Sequence, residues 1–351
     1  MGKREGQNLL LCLDTKTGKE KWTASLGKGA QSDSYNTNWG DGPRSTPTID
    51  GEFVYALCDL GNLGCFRRSD GSKQWSVNLV GDLAGKIPTW GYSESVLIDG
   101  DRLVVTTGGK HYLHGLNKKN GEKVWTSNFA ADTHYVSVVK HVFEGIPVYL
   151  TACDKGLVGI HTNTGEVLFK NESTKNSVAV IPTPVVQGNI VYHTAAYGSG
   201  NSAAEVRKQG NDLTATKLYH FTKESMENHH GGVIAIDGTI YGFSKALRGV
   251  WMAQDLTTGK VLWSKKMGRA TSGSIASDGE RLYCYDDQDG ICYLAEVSKL
   301  GWKELGKVSL PKTTDMDRKQ GAIWAHPVIA DHKLIIRDQE QVFAFDIGTN
   351  K

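Results

Sequence analysis

The chain has 351 residues, and its 40 Lys plus Arg are nearly balanced by 38 Asp plus Glu. This balance provides no strong basic field, so composition does not indicate a nucleic-acid-binding protein. No apolar run reaches the roughly 18 residues needed to span a bilayer, and the sequence therefore predicts no transmembrane segment. Its 41 glycines and eight prolines favour a protein rich in β-hairpins.

A short motif recurs from the start of the chain to its end. It is clearest in DTKTGKEKW at 14–22 and DLTTGKVLW at 255–263. Weaker copies are predicted at 67–75, 117–125, 161–169, 206–219, 296–305 and 345–351. The mean step between the eight copies is about 47 residues, a period typical of propellers or solenoids.

The content of each period favours a propeller. In the third unit the predicted strands are YSESVLID, RLVVTTG, YLHGLNK and KVWTSNF, and in the eighth they are HPVIAD, KLIIRD and VFAFD. No stretch between the motifs shows the 3.6-residue apolar period of a helix. We therefore predict an all-β fold, a β-propeller of four-stranded antiparallel blades forming a single domain over residues 1–351.

The two ends of the chain predict incomplete blades. Only one strand, NLLLCLD, is expected before the first motif, and the eighth unit lacks a fourth strand. We expect the native product to begin upstream of Met1, where an export signal would also lie, because no signal peptide is visible in this sequence. Eight blades are the main prediction. The alternative is seven blades, in which HPVIAD and KLIIRD join LLLCLD and EKWTASL in one sheet and VFAFD is left over.

The motif has a physical interpretation as a device that docks one blade on the next. Asp14 would end a third strand and accept turn N–H groups, and Gly18 would supply a positive φ. Trp22 would follow on the fourth strand and bury its ring against the neighbouring blade. The predicted docking residues are Trp22, Trp75, Trp125, Phe169 and Trp263.

The strings LDTKTGKEKW and QDLTTGKVLW resemble the tryptophan-docking repeat of the PQQ-like β-propeller family. That superfamily contains BamB-like envelope proteins, which have no redox cofactor, and quinoprotein alcohol dehydrogenases. GPRSTPTIDG, WGYSESVLIDG and NHHGGVIAIDG look more like the BamB-like members. The resemblance implies a binding scaffold in the bacterial periplasm or cell envelope, whereas function inferred from fold alone is analogy.

The six cysteines include no CxxC pair and therefore no simple zinc or thioredoxin signature. Two pairs flank predicted hairpin turns, Cys58 with Cys65 and Cys284 with Cys292, so either cross-strand disulfides or buried free thiols are possible, and free thiols are favoured. The string YDDQDGICYLAE at 285–296 imitates a calcium loop, but we interpret it as an ordinary hairpin turn.

Candidate ligand-binding residues are the unusual polar groups expected where inner strands begin, beside the central channel. These are Arg44, Tyr92, Glu94, Asn228, His229, His230, His326 and Asp338. The alternative is that they satisfy one another and the nearby backbone. Adjacent histidines on a strand point to opposite faces, so His229 and His230 could line one site only at a bulge.

Two functions follow from the family resemblance. The favoured one is a non-catalytic scaffold that binds a protein or a small envelope ligand, with no cofactor, and residues 27–44 with Tyr35 and Trp39 as a candidate interface. The alternative is a PQQ-dependent dehydrogenase with calcium, for which Glu94, Asn228 and Asp338 could supply oxygens. The vicinal cysteine pair of the alcohol-oxidising members is absent from the sequence, and no catalytic residue is assigned.

Overall fold

The computed structural model describes residues 1–210 and 212–348, and these residues form eight antiparallel sheets. Each sheet is built from strands that follow one another in the chain, so the fold class is an eight-bladed β-propeller, as predicted. The eight sheets are numbered here as blades 1–8 in chain order.

Blade 1 contains β1 (Gly2–Arg4), β2 (Gln7–Leu13) and β3 (Glu20–Lys28), and blade 2 contains β4 (Thr48–Asp50), β5 (Phe53–Leu57), β6 (Asn62–Arg67) and β7 (Lys73–Asn78). Blade 3 contains β8 (Leu97–Asp99), β9 (Arg102–Thr106), β10 (Leu113–Asn117) and β11 (Lys123–Thr126). Blade 4 contains β12 (Val139–Phe143), β13 (Ile146–Cys153), β14 (Gly156–His161) and β15 (Val167–Asn171). Blade 5 contains β16 (Val185–Gln187), β17 (Ile190–Ala195), β18 (Gly200–Gln209) and β19 (Asp212–Phe221), and blade 6 contains β20 (Val233–Ile236), β21 (Thr239–Ser244), β22 (Val250–Asp255) and β23 (Val261–Lys265). Blade 7 contains β24 (Gly273–Ser277), β25 (Arg281–Asp286), β26 (Ile291–Glu296) and β27 (Glu304–Ser309). Blade 8 contains β28 (Val328–Ala330), β29 (Lys333–Asp338) and β30 (Gln341–Asp346).

Helical structure is limited to two 3-10 turns in the described residues, Glu172–Thr174 and Ala246–Arg248. No helix in this part of the chain has the length and apolar character needed to cross a membrane. The chain divides into two compact units, Met1–Lys170 and Asn171–Lys351. The assignment of residues 1–351 to a single domain therefore stays a prediction.

Most of the strand predictions are confirmed, and one is wrong. The four strands expected in the third unit and the three expected in the eighth are present, with shorter innermost strands. In the described residues blades 1 and 8 have three strands each, so both are incomplete as predicted. Two strands rather than one precede the first motif, because Gly2–Arg4 pairs with Gln7–Leu9 in a tight hairpin. The seven-blade grouping does not occur, since β1–β3 and β28–β30 form separate sheets.

The turn of the repeated motif forms as the sequence predicts. The Asp14 carboxylate accepts hydrogen bonds from the backbone N–H groups of Lys16 (3.1 Å) and Thr17 (2.9 Å). Gly18 has a φ of +68°. Asp255 accepts the equivalent pair of backbone bonds in blade 6. The motif carboxylate thus satisfies the donors of a turn that needs a left-handed residue.

The tryptophans of the motif join consecutive blades. The indole N–H of Trp22 in blade 1 donates to the Arg68 carbonyl in blade 2 at 3.0 Å. Its ring packs on Gly71, where a Cβ atom would lie 2.5 Å from the ring, so only glycine fits. The same indole-to-carbonyl bond recurs for Trp75 to Lys118 (3.0 Å), Trp125 to Asn163 (3.0 Å) and Trp263 to Ser298 (2.8 Å).

The copies of the motif in blades 4 and 5 have another aromatic residue in place of tryptophan. The degenerate copy predicted at 206–219 lies in the hairpin of β18 and β19, although its Asn211 lies outside the described residues. Its aromatic is Tyr219, whose hydroxyl donates to the Leu256 carbonyl at 3.0 Å. In blade 4, Phe169 packs within its own sheet against Gly159 and lies 6.1 Å from the Phe143 ring.

The hydrophobic core lies between neighbouring sheets. One cluster joins Tyr55, Leu57 and Leu63 of blade 2 to Leu103 and Val105 of blade 3. All of these residues are almost completely buried. Burial between blades, rather than within one blade, explains why a repeat of four short strands is stable only beside another.

All six cysteines are free thiols, so the disulfide alternative is not realised. Cys58 and Cys65 flank a hairpin turn but do not stand opposite each other, because β5 and β6 pair Tyr55 with Cys65. Cys284 and Cys292 are also offset, since their partners are Tyr293 and Tyr285. Burial raises the pKa of the Cys65 thiol to about 11, which keeps it protonated and unreactive.

Candidate functional site

In the compact unit Met1–Lys170, the candidate residues lie on the connections that precede β4 and β8. Arg44 is exposed, and its guanidinium donates to the Gly40 carbonyl at 2.7 Å and to the Trp90 carbonyl. It also lies over the Tyr35 ring, 5.6 Å from the centroid. Arg44 therefore links residues 27–44 to the connection of the next blade.

Tyr92 and Glu94 are both buried. The Tyr92 hydroxyl donates to the Thr107 carbonyl at 2.9 Å. The two Glu94 oxygens accept from the Thr106 N–H, at 2.8 Å, and from the Thr106 hydroxyl. Burial raises the pKa of Glu94 to about 8, so the group is mostly protonated at neutral pH.

In the second unit, Asn228 braces the segment that precedes β20. Its amide nitrogen donates to the Gly232 and Phe243 carbonyls, both at 2.9 Å. Its amide oxygen accepts the Gly232 N–H at 3.0 Å. The side chain thus uses its carbonyl and its amide group to hold a glycine turn.

The structure brings His229, His230 and His326 together. The His229 and His230 rings are 3.6 Å apart between centroids, so the alternation of side chains along a strand does not apply to them. The cause is that residues 223–232 are not a strand, and Gly232 has a φ of +71°. The His326 ring nitrogen contacts the His230 carbonyl at 3.0 Å, and the Trp324 ring stacks on His230.

The outer end of this histidine cluster is Tyr197, which is 44% exposed. Its hydroxyl lies 2.8 Å from the Nε2 atom of His229. Burial and the charge of Lys245 lower the pKa of His229 to about 3. His229 is therefore neutral at physiological pH and acts in this cluster as a hydrogen-bonding ring.

Asp338 ends β29 and is buried. Its Oδ2 atom accepts from the Arg318 guanidinium at 2.6 Å and from the Thr314 N–H at 2.9 Å. Both donors lie on the connection between β27 and β28. Asp338 therefore fastens that connection to blade 8.

Sequence reasoning missed that Asp338 belongs to a repeated set. Asp59 in blade 2 accepts from the Tyr35 hydroxyl at 2.7 Å and from the Asn8 amide at 2.6 Å. Asp154 accepts from the Asp132 N–H, and Asp287 accepts from the Thr271 N–H and hydroxyl. The sequence contains a signal that could have revealed this set. It is an Asp at or just after the end of the second strand of a blade, found in ALCDLG, TACDKG, YDDQDG and IIRDQE.

The calcium-like string at 285–296 is a hairpin, as interpreted from the sequence. The Asp286 carboxylate accepts the N–H groups of Gln288, Asp289 and Gly290 within that turn. Asp289 pairs with Arg269. Within residues 1–210 and 212–348, no group of three His, Cys, Asp or Glu side chains is placed to hold a metal ion.

Comparison with known proteins identifies similar sequences and folds. The family profile described as outer membrane protein assembly factor BamB matches residues 6–265 and 248–351. Outer membrane protein assembly factor BamB of Salmonella typhimurium is 23% identical over 330 residues, covering 91% of this chain and 76% of that protein.

Two solved structures share the fold at low sequence identity. BamB from Moraxella catarrhalis is 15% identical, with a TM-score of 0.62 over 96% of this chain and 88% of that one. Quinohemoprotein alcohol dehydrogenase from Comamonas testosteroni is 11% identical, with a TM-score of 0.58 over 93% and 67%. The two neighbours differ in activity, so the fold does not choose between them.

Proposed function

Because the chain belongs to the outer membrane protein assembly factor BamB family, we propose that it is a non-catalytic scaffold that binds a protein partner in the bacterial cell envelope. The observation that carries this proposal is that candidate polar groups form hydrogen bonds within the protein that hold its connecting segments. Glu94, Asn228 and Asp338 are buried, and each fastens a connecting segment through internal hydrogen bonds.

The same three residues are a poor donor set for calcium and a quinone. Calcium prefers ionised carboxylates and free carbonyl oxygens. Glu94 has a pKa raised to about 8 by burial and is mostly neutral at pH 7. The Asn228 oxygen is taken by a backbone N–H, and Asp338 is paired with Arg318. The residues present do not fit PQQ with calcium, so we derive no redox step from them.

Residues 27–44 support the scaffold proposal in a modified form. Tyr35 is anchored to Asp59, and Gly42 also donates to that carboxylate at 3.1 Å, so this segment is tied to blade 2. Trp39 lies on the same segment and is 42% exposed. An anchored segment that presents a large aromatic side chain is suited to protein contact, because little ordering entropy is lost on binding.

The first test is a tryptophan-fluorescence titration of the folded protein with PQQ and calcium, repeated with chelator. We expect no saturable quenching. Saturable quenching at micromolar quinone that disappears with chelator would contradict the proposal and favour the dehydrogenase.

The second test is capture of partners from envelope extract by the wild type and by Trp39→Ala, identified by mass spectrometry. We expect Trp39→Ala to reduce capture of a specific protein by about tenfold, and Val124→Ala, at a 57% exposed site, to leave it unchanged. Replacing Trp39 is a cleaner test than deleting residues 30–38, since deletion would also remove the Tyr35 hydroxyl from Asp59. Equal capture by the wild type and both variants would show that Trp39 is not part of the interface.

A further inference from the structure

In the compact unit Asn171–Lys351, two loops meet to form one exposed surface. They are the 245–249 turn between β21 and β22 and the 266–272 connection between β23 and β24. The Lys266 ammonium donates to the Arg248 carbonyl at 3.1 Å. A Cβ atom at Gly249 would lie only 2.7 Å from the Ala270 carbonyl oxygen, so the two backbones are in close contact.

These two loops and the adjoining last residue of β23, which together we name the basic patch, carry five exposed cationic side chains. They are Lys245, Arg248, Lys265, Lys266 and Arg269. Arg269 pairs with Asp289. Within the part of the chain that the structure describes, none of the other four lies within ion-pair distance of a carboxylate. The charge of the patch is therefore available to an external anion.

An apolar side chain stands among these charges. Leu247 is 46% exposed. Leu247 and Arg248 both have left-handed backbone conformations, with φ values of +54° and +63°. Each costs roughly 1 kcal/mol relative to a right-handed residue, and glycine would remove that cost. Lys245 lies 5.6 Å from the Tyr197 ring centroid and Lys266 bonds to a carbonyl, so neither charge is neutralised by its partner. A strained turn that exposes a leucine beside cations without carboxylate partners is the pattern expected of a binding surface.

We infer that the basic patch binds an acidic polypeptide segment that carries an apolar side chain. The apolar residue would pack on Leu247 while flanking carboxylates approach the surrounding cations. The cations lie on two adjoining loops and the end of β23 instead of on one short segment, which suits several spaced carboxylates better than a single phosphate. This inference rests on the proposed scaffold function and names the chemistry of its partner.

Fluorescence anisotropy with a labelled synthetic peptide, in which glutamates flank a central pair of leucines, tests the inference on the full chain. We expect Lys245→Glu with Arg248→Glu to weaken binding by at least about tenfold and Leu247→Ser by about tenfold. Lys16→Glu with Lys19→Glu, an exposed basic pair on the first unit, is the matched control and should leave binding unchanged. Circular dichroism of each variant checks folding.

Four outcomes would overturn the inference. The first is binding that the patch variants leave unchanged, or that the control pair weakens equally. The second is equal affinity for a peptide with serines in place of the leucines, which would reduce the patch to nonspecific charge. The third is binding to phosphatidylglycerol vesicles without binding to the peptide.

The fourth is a dimer in sedimentation velocity that disappears in Asp315→Lys with Asp317→Lys. Those aspartates flank Met316, which is 57% exposed, so a second copy of this chain offers the same acidic and apolar chemistry. If the patch variants still capture the envelope partner while losing the peptide, the inferred patch partner is wrong and the scaffold function stands. If quinone binding is found, the scaffold function itself fails.

Discussion

Among the described residues of the compact unit Asn171–Lys351, a docking aromatic lies at the junction of blades 6 and 7 and none lies at the equivalent position between blades 7 and 8. In blade 6, Trp263 pairs opposite Ala253, just before the register shift of that strand pair. In blade 7 the same position pairs Leu294 with Gly306. A Cβ atom at Gly306 would meet nothing within 4 Å, so the space beside it is open.

A long connection joins blades 7 and 8 in place of the missing ring. The segment 310–327 bonds to blade 7 through the N–H of Leu310 and of Ile323, each at 3.0 Å from its acceptor. It bonds to blade 8 through Thr314 and Arg318, which both donate to Asp338. The same need to join adjacent sheets is thus met in two ways, by one repeated aromatic or by a buried ion pair on an irregular segment.

Removing the buried carboxylate should have the largest effect. Asp338→Ala leaves Arg318 and the Thr314 N–H without their acceptor, and we expect a loss of about 4 kcal/mol in the free energy of unfolding. Urea unfolding followed by tryptophan fluorescence measures it. The control is Asp315→Ala, which breaks an ion pair whose aspartate side chain is 83% exposed, and should cost under about 0.5 kcal/mol. Similar losses for both variants would show that the buried ion pair stabilises the protein no more than an exposed one.

Removing a docking tryptophan should have the next largest effect. Trp75→Ala deletes a ring that packs on Gly121 and bonds to the Lys118 carbonyl, and we expect a loss of about 3 kcal/mol. Trp75→Phe keeps most of the packing and removes the hydrogen bond, so its expected loss is about 1 kcal/mol. The same urea unfolding measures both variants. A loss for Trp75→Phe as large as that for Trp75→Ala would mean that packing contributes little at this junction.

The aromatic junctions could be predicted from the sequence, whereas the irregular one could not. The motif spacing gave the blade number, and the position of Trp22 after Gly18 gave the docking geometry, because both depend on local turn chemistry. Gly306 and the pairing of Arg318 with Asp338 depend on which segments meet in space. The side-by-side rings of His229 and His230 were left open by the sequence, because they require a backbone that leaves the strand conformation on which the alternation rule depends.

Glu94 fastens blade 3 without an ion pair, in contrast to Asp338, and should make stability depend on pH. Burial raises its pKa from 4.5 to about 8, so its stabilising contribution is complete below pH 4.5 and falls as pH rises toward about 8. Between pH 4.5 and about pH 6 we expect a loss of about 2 kcal/mol from this group. Glu94→Gln should remove that loss, because an amide can keep both bonds to Thr106 and does not titrate. Urea unfolding across this pH range measures the free energy of unfolding of both proteins. If it changes in parallel for the wild type and Glu94→Gln, Glu94 does not cause the pH dependence.

Restoring a ring at the irregular junction should have the smallest effect and the opposite sign. Gly306 has no positive φ, so Gly306→Trp introduces no backbone strain, and its ring would enter open space opposite Leu294. We expect a gain of about 1 kcal/mol in the free energy of unfolding, from apolar burial and reduced freedom of the unfolded chain. Gly306→Ala is the control, since it supplies the backbone effect alone. Equal gains for the two variants would mean that the ring adds no packing. A loss for Gly306→Trp alone would show that segment 310–327 and a docking aromatic compete for the same space, so that each junction can accommodate only one of the two solutions.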